Sequence, residues 1–195
     1  GAPPEISSLP QNLAWAGDIR HAGVIVGADS VIREQAVIHQ GSHRPTTIGE
    51  ASWILNRAYL AHDVILGKRV TVSAGVSIGG HCWIGDAANL GMNASIHQRR
   101  VIGAGAMVGM GTPVTRDVPP FGKVYGSPPK LAGLNTVGLA RFGASEELIT
   151  QVAAAYESGD FLLLDLGDGS NQIAHAAQMW RAQDPQKMLT TRIRD

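Results

Sequence analysis

The sequence is poor in cysteine, aromatic residues and net charge. A single cysteine, Cys82, occurs in 195 residues, which excludes an internal disulfide and is typical of a reducing compartment. Aromatic residues make up 5% of the chain, a share that suits a narrow core of aliphatic side chains. The formal net charge is +0, so the global basic field that would attract nucleic acid or anionic lipid is missing.

Long apolar runs are also missing. The sequence has no apolar run long enough to span a membrane, and no signal peptide is visible at the N-terminus. We therefore expect a cytoplasmic protein without a membrane span and without a nucleic-acid partner.

A repeat of six residues dominates what is present. A helix repeats its apolar positions every 3.6 residues and a strand every two, so a period of six fits neither as one long element. It fits a chain that coils as a three-sided prism, with one short strand on each side and one aliphatic residue directed to the axis. The pattern predicts a hexapeptide-repeat parallel β-helix. Its aliphatic positions are Ile48, Ile54, Leu60, Leu66, Val72, Ile78, Ile84, Leu90, Ile96, Ile102, Val108 and Val114.

The repeat is interrupted once and then gives way to a different pattern. It begins at Val26 and resumes at Ile48 with an offset of four, which predicts an inserted loop at residues 40–45, on the side where solenoids often bind ligands. We expect about five coils, ending at Pro119 and Pro120 because proline cannot donate ladder hydrogen bonds. Residues 1–133 are assigned to the β-helix domain, with an irregular arm over 1–22, and residues 134–195 to an α-helical C-terminal region.

Capping residues divide the C-terminal region into helices. Ser145 is an N-cap before a helix that Gly159 closes, and Ser170 caps a second helix that ends near Ala182. Pro185 at a first-turn position suggests a third helix. The long faces of the prism expose β-branched residues, and three-fold assembly buries one face of each subunit without leaving an open edge. We therefore predict a homotrimer with clefts between subunits.

Four histidines are predicted to share one side of the prism. Leu60, Ile78 and Ile96 are separated by three repeats each and stack in successive coils, and each is followed closely by a histidine. Imidazole can act as a general base near neutral pH or as a metal ligand, so acyl transfer and a metal site both remain open. The histidines are His39, His62, His81 and His97.

Two neighbours of this column fit acyl transfer. Asp63 follows His62 directly and could fix its tautomer and stabilise the imidazolium. The Gly79-Gly80 pair precedes His81, and the Gly80 N–H could donate to the oxyanion of a reacting carbonyl.

A series of short motifs runs along the repeat and into the C-terminal region: Asn12-Leu13-Ala14-Trp15-Ala16-Gly17, Ile32-Arg33-Glu34, Ile38-His39-Gln40-Gly41, Tyr59-Leu60-Ala61-His62-Asp63, Gly80-His81, Ile96-His97-Gln98, Val118-Pro119-Pro120 and Gly138-Leu139-Ala140-Arg141. Together these motifs resemble the UDP-N-acetylglucosamine acyltransferase family. The resemblance spans about residues 11–158 with order and spacing kept. It implies a left-handed β-helix, a trimer, and an acyl carrier protein-dependent O-acyltransferase of the kind used in lipid A synthesis.

The resemblance also implies roles for individual residues. His62 is expected to be the general base, Asp63 its partner and the Gly80 N–H the oxyanion donor. The donor is expected to be an acyl thioester on carrier protein or CoA, with no bound cofactor and no metal. The implied substrate-binding residues are His81 at the acceptor sugar, His97 and Gln98 in the nucleotide and acyl cleft, Arg141 near the acceptor's phosphates, and Gln11, Asn12, His39, Tyr59, Met110 and Asn135.

The chain departs from the family at contacts to the acceptor. Asn12 and Ala14 stand where the family has an aspartate and a lysine, and Tyr59 stands where it has a second histidine. Gly126-Ser127-Pro128 is closer to the ending of acetyl-CoA-dependent hexapeptide enzymes. The reaction type is therefore better supported than the acceptor, which could be another sugar nucleotide, an amino sugar or a specialised metabolite.

Met110 carries an expectation about the acyl group. It lies at the family position where residue size limits chain length, and a methionine there shortens the pocket. We expect a short to medium acyl chain, at most about ten carbons long by this resemblance, unless Met110 only fills a contact between subunits.

Three alternatives remain open at this point. A CoA-dependent acetyltransferase of the same fold would use the same base. A metalloenzyme like the trimeric γ-type carbonic anhydrases is disfavoured, because its ligands include two closely spaced histidines, whereas the histidines of this column lie far apart along the chain. A catalytically inactive scaffold would keep the fold without the chemistry.

Overall fold

The computed structural model describes residues 22–163, 172–186, 188 and 189. Fifteen short strands follow one another before the first longer pair. In chain order they are β1 (Val24–Val26), β2 (Val31–Ile32), β3 (Val37–Ile38), β4 (Thr46–Ile48), β5 (Trp53–Ile54), β6 (Tyr59–Leu60), β7 (Ile65–Leu66), β8 (Thr71–Val72), β9 (Ser77–Ile78), β10 (Trp83–Ile84), β11 (Asn89–Leu90), β12 (Ser95–Ile96), β13 (Val101–Ile102), β14 (Met107–Val108), β15 (Pro113–Val114), β16 (Gly122–Tyr125) and β17 (Lys130–Leu134).

Every third strand belongs to the same parallel sheet, so the chain coils as a prism with three faces. The first face is β1-β4-β7-β10-β13, the second is β2-β5-β8-β11-β14, and the third is β3-β6-β9-β12-β15. Ile48 pairs with Leu66, three hexapeptides later, whereas the separation between Val26 and its partner Ile48 is longer by the insertion. The predicted parallel β-solenoid is confirmed, and so is the insertion at residues 40–45.

The predicted aliphatic positions form the axis of the prism. All twelve, from Ile48 to Val114, are at most 3% exposed. A second inward position, two residues before them, holds a small or medium side chain such as Val64, Cys82 or Ala88, all fully buried, except before Ile102, where Arg100 stands. Because these layers repeat every coil, the core is continuous from Ile48 to Val114.

The corners between faces share one backbone conformation. Every sixth residue from Ala51 to Gly111 has a positive φ, between 51° and 70°. This left-handed conformation is unfavourable for most L-residues, and asparagine, aspartate and glycine tolerate it best. Asp63, His81 and Arg99 occupy such positions on the corner between the third and first faces, which fixes how their side chains leave the prism.

The expectation that the coils end at Pro119 and Pro120 is wrong. Val118 still forms a parallel bridge with Ile102, and β16 pairs in parallel with β14. The two prolines lie at a turn between these pairings, where no ladder donor is required. β17 then returns antiparallel to β16, so a hairpin covers the end of the second face in a partial sixth coil.

Three helices follow the hairpin: α1 (Thr136–Arg141), α2 (Glu146–Ser158) and α3 (Gln172–Ala182). The Ser145 hydroxyl accepts a hydrogen bond from the Leu148 N–H at 3.2 Å, and Gly159 ends α2 with a φ of 80°, as the sequence predicted. The helix predicted up to about Ala182 is also confirmed, while its proposed cap, Ser170, lies outside the described residues.

The third helix proposed at Pro185 is wrong. Residues 184–186 are not helical, and Met188 forms a parallel bridge with Asp117 instead. The Gln186 N–H donates to the Asp117 carboxylate at 3.2 Å and the Leu189 N–H to the Asp117 carbonyl at 2.8 Å. This segment therefore ties the chain after α3 back to the solenoid. None of the helices within the described residues is long and apolar enough to cross a membrane.

Candidate active site at a corner of the solenoid

The candidate site lies on the corner between the third and first faces, where His62 and Asp63 follow β6. Asp63 has a φ of 60°, and its N–H donates to the Thr46 hydroxyl at 2.9 Å. The His81 N–H donates to the His62 carbonyl at 3.1 Å. The two histidine-bearing corners are thereby stacked one coil apart.

The inserted loop at residues 40–45 wraps around the Asp63 carboxylate. Oδ1 accepts backbone N–H bonds from Ser42 at 2.9 Å, His43 at 2.9 Å and Arg44 at 3.1 Å. Oδ2 accepts a hydrogen bond from the Ser42 hydroxyl at 2.6 Å. Successive N–H groups directed at one anion form a nest, so the insertion builds a binding site for this carboxylate.

The nest keeps Asp63 ionised although its side chain is fully buried. Burial raises the pKa of the Asp63 carboxyl, but the hydrogen bonds from Ser42, His43, His62 and Arg44 outweigh it and hold that pKa well below its ordinary range. Hydrogen bonds to the charged form of a carboxyl favour that form. A fixed negative charge therefore sits beneath His62.

His62 is oriented by this charge. Its Nδ1 lies 2.7 Å from Asp63 Oδ2, and since the carboxylate can only accept, Nδ1 carries the proton in the neutral ring. The Nε2 lone pair is then free to accept a proton. The side chain is 14% exposed, so the imidazole is held by its surroundings yet open to a substrate.

Gly80 faces the Nε2 side of the His62 ring. A Cβ built on Gly80 would lie 2.8 Å from both Nε2 and Cε1 of His62, so only glycine leaves space there. Among the described residues, no atom accepts a hydrogen bond from the Gly80 N–H. The N–H groups of Ala74 and Met92, at another corner, also lack an acceptor among the described residues. The particular feature of Gly80 is therefore its position against the His62 ring.

Two further imidazoles adjoin His62. The His81 ring meets the His62 ring edge to face, with centroids 4.9 Å apart, and His43 stacks on His81 at 6.1 Å. Burial is the main cause that lowers the pKa of His81, and the nearby Arg99, His62 and Arg44 lower it further, while Asp63 at 3.8 Å from Nδ1 opposes the shift. His81 is therefore suited to a neutral, hydrogen-bonding role at neutral pH.

The remaining residues of the predicted histidine column lie one coil away on either side. His39 is buried and meets the Tyr59 ring edge to face at 5.1 Å. His97 is exposed, and its Nδ1 donates to the Gln98 carbonyl at 3.0 Å. Tyr59 and His97 line a groove of about 360 Å³ along the third face.

Other predicted residues do not meet His62 within one chain. Asn135 caps α1, accepting from the Gly138 N–H at 3.1 Å and donating to the Gly105 carbonyl at 2.9 Å. With Arg141 it lines a cavity of about 620 Å³ over the second face. Met110, 72% exposed, lies at the corner between the second and third faces. Gln11 and Asn12 lie outside the described residues.

His62, Asp63 and His81 each offer one potential metal ligand within 4.8 Å of the others. The Asp63 oxygens, however, already accept three backbone N–H bonds, the Ser42 hydroxyl and His62 Nδ1. A cation would have to compete with these hydrogen bonds for the same lone pairs. This donor set suits a carboxylate that orients a base better than a metal ligand.

Ser42, His43 and Arg44 belong to the site but were not predicted from the sequence. The six-residue period shows where the insertion lies and not what its residues contact. The available signal was that an insertion one coil before His62 and Asp63 must fold over a corner, and that the loop carries a hydroxyl at Ser42.

Replacing Asp63 with asparagine tests the nest. Asparagine tolerates the same φ, but its amide would place an N–H group against the N–H donors of the loop. We expect the free energy of unfolding at pH 7 to fall by about 1–3 kcal/mol, because buried donors lose their acceptor. Chemical denaturation of both proteins between pH 7 and pH 3 measures this difference.

The pH dependence of that difference has a defined sign. A carboxyl with a lowered folded pKa stabilises the fold above its unfolded pKa of about 3.9, and the effect is lost as pH falls further. The gap between wild type and Asp63→Asn should therefore be constant above about pH 5 and shrink below about pH 4. Asp29→Asn is the matched control, because Asp29 is exposed and has a φ of 58°. An Asp29→Asn protein as unstable as Asp63→Asn would contradict the role of the nest.

Comparison with known proteins agrees with this architecture. A family model described as UDP N-acetylglucosamine O-acyltransferase, domain 2, matches residues 117–187, and one described as bacterial transferase hexapeptide (six repeats) matches residues 45–80. LpxA from Acinetobacter baumannii superposes with a TM-score of 0.77 at 25% identity, over 88% of this chain and 72% of that one.

Curated relatives carry the same description. The acyl-[acyl-carrier-protein]–UDP-N-acetylglucosamine O-acyltransferase of Alkalilimnicola ehrlichii is 37% identical over 77% of this chain and 59% of its own length. That of Pseudomonas putida strain GB-1 is 32% identical over 88% of this chain and 68% of its own length. The chain thus spans between 57% and 68% of the first curated relatives. It belongs to the UDP-N-acetylglucosamine O-acyltransferase family.

Proposed function

We propose that this protein transfers an acyl group from an acyl carrier protein thioester to a hydroxyl or amine of a sugar nucleotide or a related acceptor. The observation that carries the proposal is the 2.7 Å contact between His62 Nδ1 and Asp63 Oδ2, which leaves Nε2 as the base on the side of Gly80. Family membership supports the same reaction, because the curated relatives are named for it.

The mechanism follows from these positions. His62 Nε2 accepts the proton of the acceptor hydroxyl or amine as that group attacks the thioester carbonyl. Asp63, kept ionised by its nest, stabilises the imidazolium that forms. The Gly80 N–H, free of a protein acceptor among the described residues, donates to the oxyanion. When the tetrahedral intermediate collapses, the imidazolium returns the proton to the departing thiolate.

Assembly as a homotrimer in the cytoplasm is part of the proposal. Asn135 and Arg141 lie over the second face, whereas His62 lies at the corner between the third and first faces. Arg141 could reach an acceptor held at His62 only from a neighbouring subunit. A three-fold arrangement would place one such subunit beside each catalytic corner.

The direct test is mass-spectrometric detection of acylated product. Wild-type protein is incubated with UDP-N-acetylglucosamine and decanoyl or 3-hydroxydecanoyl carrier protein, and in parallel with acetyl-CoA. Acylated UDP-N-acetylglucosamine supports the proposal. Acylation of only other sugar nucleotides or amino sugars would keep the reaction and change the acceptor, while activity with acetyl-CoA alone would favour the CoA-dependent alternative.

Substitution of the base is the first prediction on activity. His62→Gln should lower the rate of acyl transfer by about 10²–10⁴, the usual contribution of a general base. The matched control is His175→Gln, because His175 lies exposed on α3 and should keep wild-type activity. Full activity in His62→Gln would contradict the assignment. Activity that chelators abolish and a divalent metal restores would favour a metal-dependent enzyme instead.

Chain-length selection is the second prediction. The third face, with its groove, separates the corner of Met110 from the corner of His62, so Met110 is placed to limit an acyl chain that lies along this face. Met110→Gly should increase the relative rate with 14-carbon over 10-carbon carrier-protein substrates by roughly tenfold or more, since each buried methylene contributes about 0.8 kcal/mol. An unchanged chain-length profile, measured by competition between the two donors, would place Met110 in a subunit contact only.

A further inference from the structure

A second cavity adjoins the catalytic corner on the side of the first face. It has a volume of about 380 Å³ and is lined by His43, Arg44, His81, Trp83, Arg99, Val101 and Gln183. Two guanidinium groups and two imidazoles thus surround one space beside the indole of Trp83. No carboxylate is among these lining residues, and the neighbouring Asp63 carboxylate, 3.8 Å from His81 Nδ1, is already bound by its nest. The two guanidinium charges therefore favour an anion in this space.

Arg99 contributes a guanidinium that is free to bind a ligand. The residue occupies a left-handed corner with a φ of 60°, and its N–H donates to the Gly80 carbonyl at 2.9 Å. Its side chain is exposed, and within the described part of the chain no acceptor binds its guanidinium. The backbone bond fixes the origin of the side chain one coil above His81 and two coils above Asp63.

The corner that carries Asp63 also holds Arg44 in place. Its Nε and Nη2 donate to the Asp63 carbonyl oxygen at 3.2 Å and 3.0 Å. The planar fork is thereby oriented before any ligand arrives, and the remaining Nη1 is available. Guanidinium groups in fixed geometry are the preferred partners of phosphate oxygens.

We propose that this cavity is a phosphate-binding site, which holds a phosphoryl group of one substrate next to His81 and the catalytic corner. Arg99 and Arg44 bind the phosphate oxygens, and Trp83 offers an apolar plane for the adjoining part of the same molecule. The assignment to a substrate rests on the proposed acyl transfer, whereas phosphate binding itself does not. The phosphoryl group could belong to the acceptor's diphosphate or to the phosphopantetheine of the donor, and the two sources are separable by experiment.

Binding of inorganic pyrophosphate to the wild-type protein tests the site without any turnover. Calorimetric titration at low ionic strength should give saturable binding that weakens with added salt, because screening reduces exposed charge interactions. Arg99→Gln should weaken it by roughly tenfold, the loss of one charge-assisted contact. Arg57→Gln is the matched control, since Arg57 is an exposed corner residue with a φ of 58° outside this cavity.

Imidazole NMR signals locate the bound anion. Pyrophosphate should shift the ring resonances of His43 and His81 and leave that of His175 unchanged, and Arg99→Gln should need roughly tenfold more pyrophosphate for the same shifts. The proposal is overturned if the wild-type protein does not bind pyrophosphate, if Arg99→Gln binds as tightly as wild type, or if Arg57→Gln loses affinity equally.

Kinetics then separate the two sources and the two proposals. A rise in KM for the sugar nucleotide in Arg99→Gln, with competition by UDP, assigns the site to the acceptor. A rise in KM for the donor, with competition by pantetheine 4′-phosphate, assigns it to the donor. If the wild-type protein binds pyrophosphate but transfers no acyl group, only the proposed function is contradicted. If it transfers acyl groups normally and Arg99→Gln changes the KM of no substrate, the phosphoryl group that binds here does not belong to a substrate.

Discussion

The constraint on which this structure depends is the turn that the backbone must make every six residues. Three short strands close one coil only if each corner adopts a left-handed conformation, and every sixth residue from Ala51 to Gly111 does so. The inward aliphatic residues fill the axis, which leaves the corners as the places where polar side chains project in a fixed direction. Because corners of successive coils stack at the strand spacing of about 4.8 Å, functional groups far apart in sequence form a column on a rigid scaffold.

The proposed catalytic site depends on one buried charge. Asp63 is inaccessible to solvent, and a buried carboxylate persists only when it is well hydrogen-bonded. The inserted loop supplies those bonds through three successive N–H groups and the Ser42 hydroxyl. The insertion that interrupts the repeat therefore keeps the Asp63 carboxylate ionised, and this carboxylate in turn orients His62. The same loop places Arg44 at the edge of the proposed phosphate site.

Much of this could be predicted from the sequence, because a six-residue period is a one-dimensional signal that determines which residues stack. The fold, the position of the insertion and the shared corner of His62 and His81 all follow from the six-residue spacing. The nest could not be predicted from residue spacing, since its contacts depend on how an irregular loop folds over a corner. Nor could the hairpin beyond Pro120, because its pairing with β14 is decided by space at the end of the prism. The position of Arg141 over a different face shows that similarity in sequence does not by itself bring two residues together in one chain.

The protonation state of His62 depends on the fold and the nest, and the proposed chemistry depends on it. Side-chain ¹⁵N NMR of histidine-labelled protein at neutral pH reports directly which ring nitrogen carries the proton. We predict a proton on Nδ1 and an unprotonated Nε2 in the wild-type protein, with this preference weakened when asparagine replaces Asp63. A proton on Nε2 in the wild-type protein would leave no base beside Gly80 and would contradict the proposed role of His62.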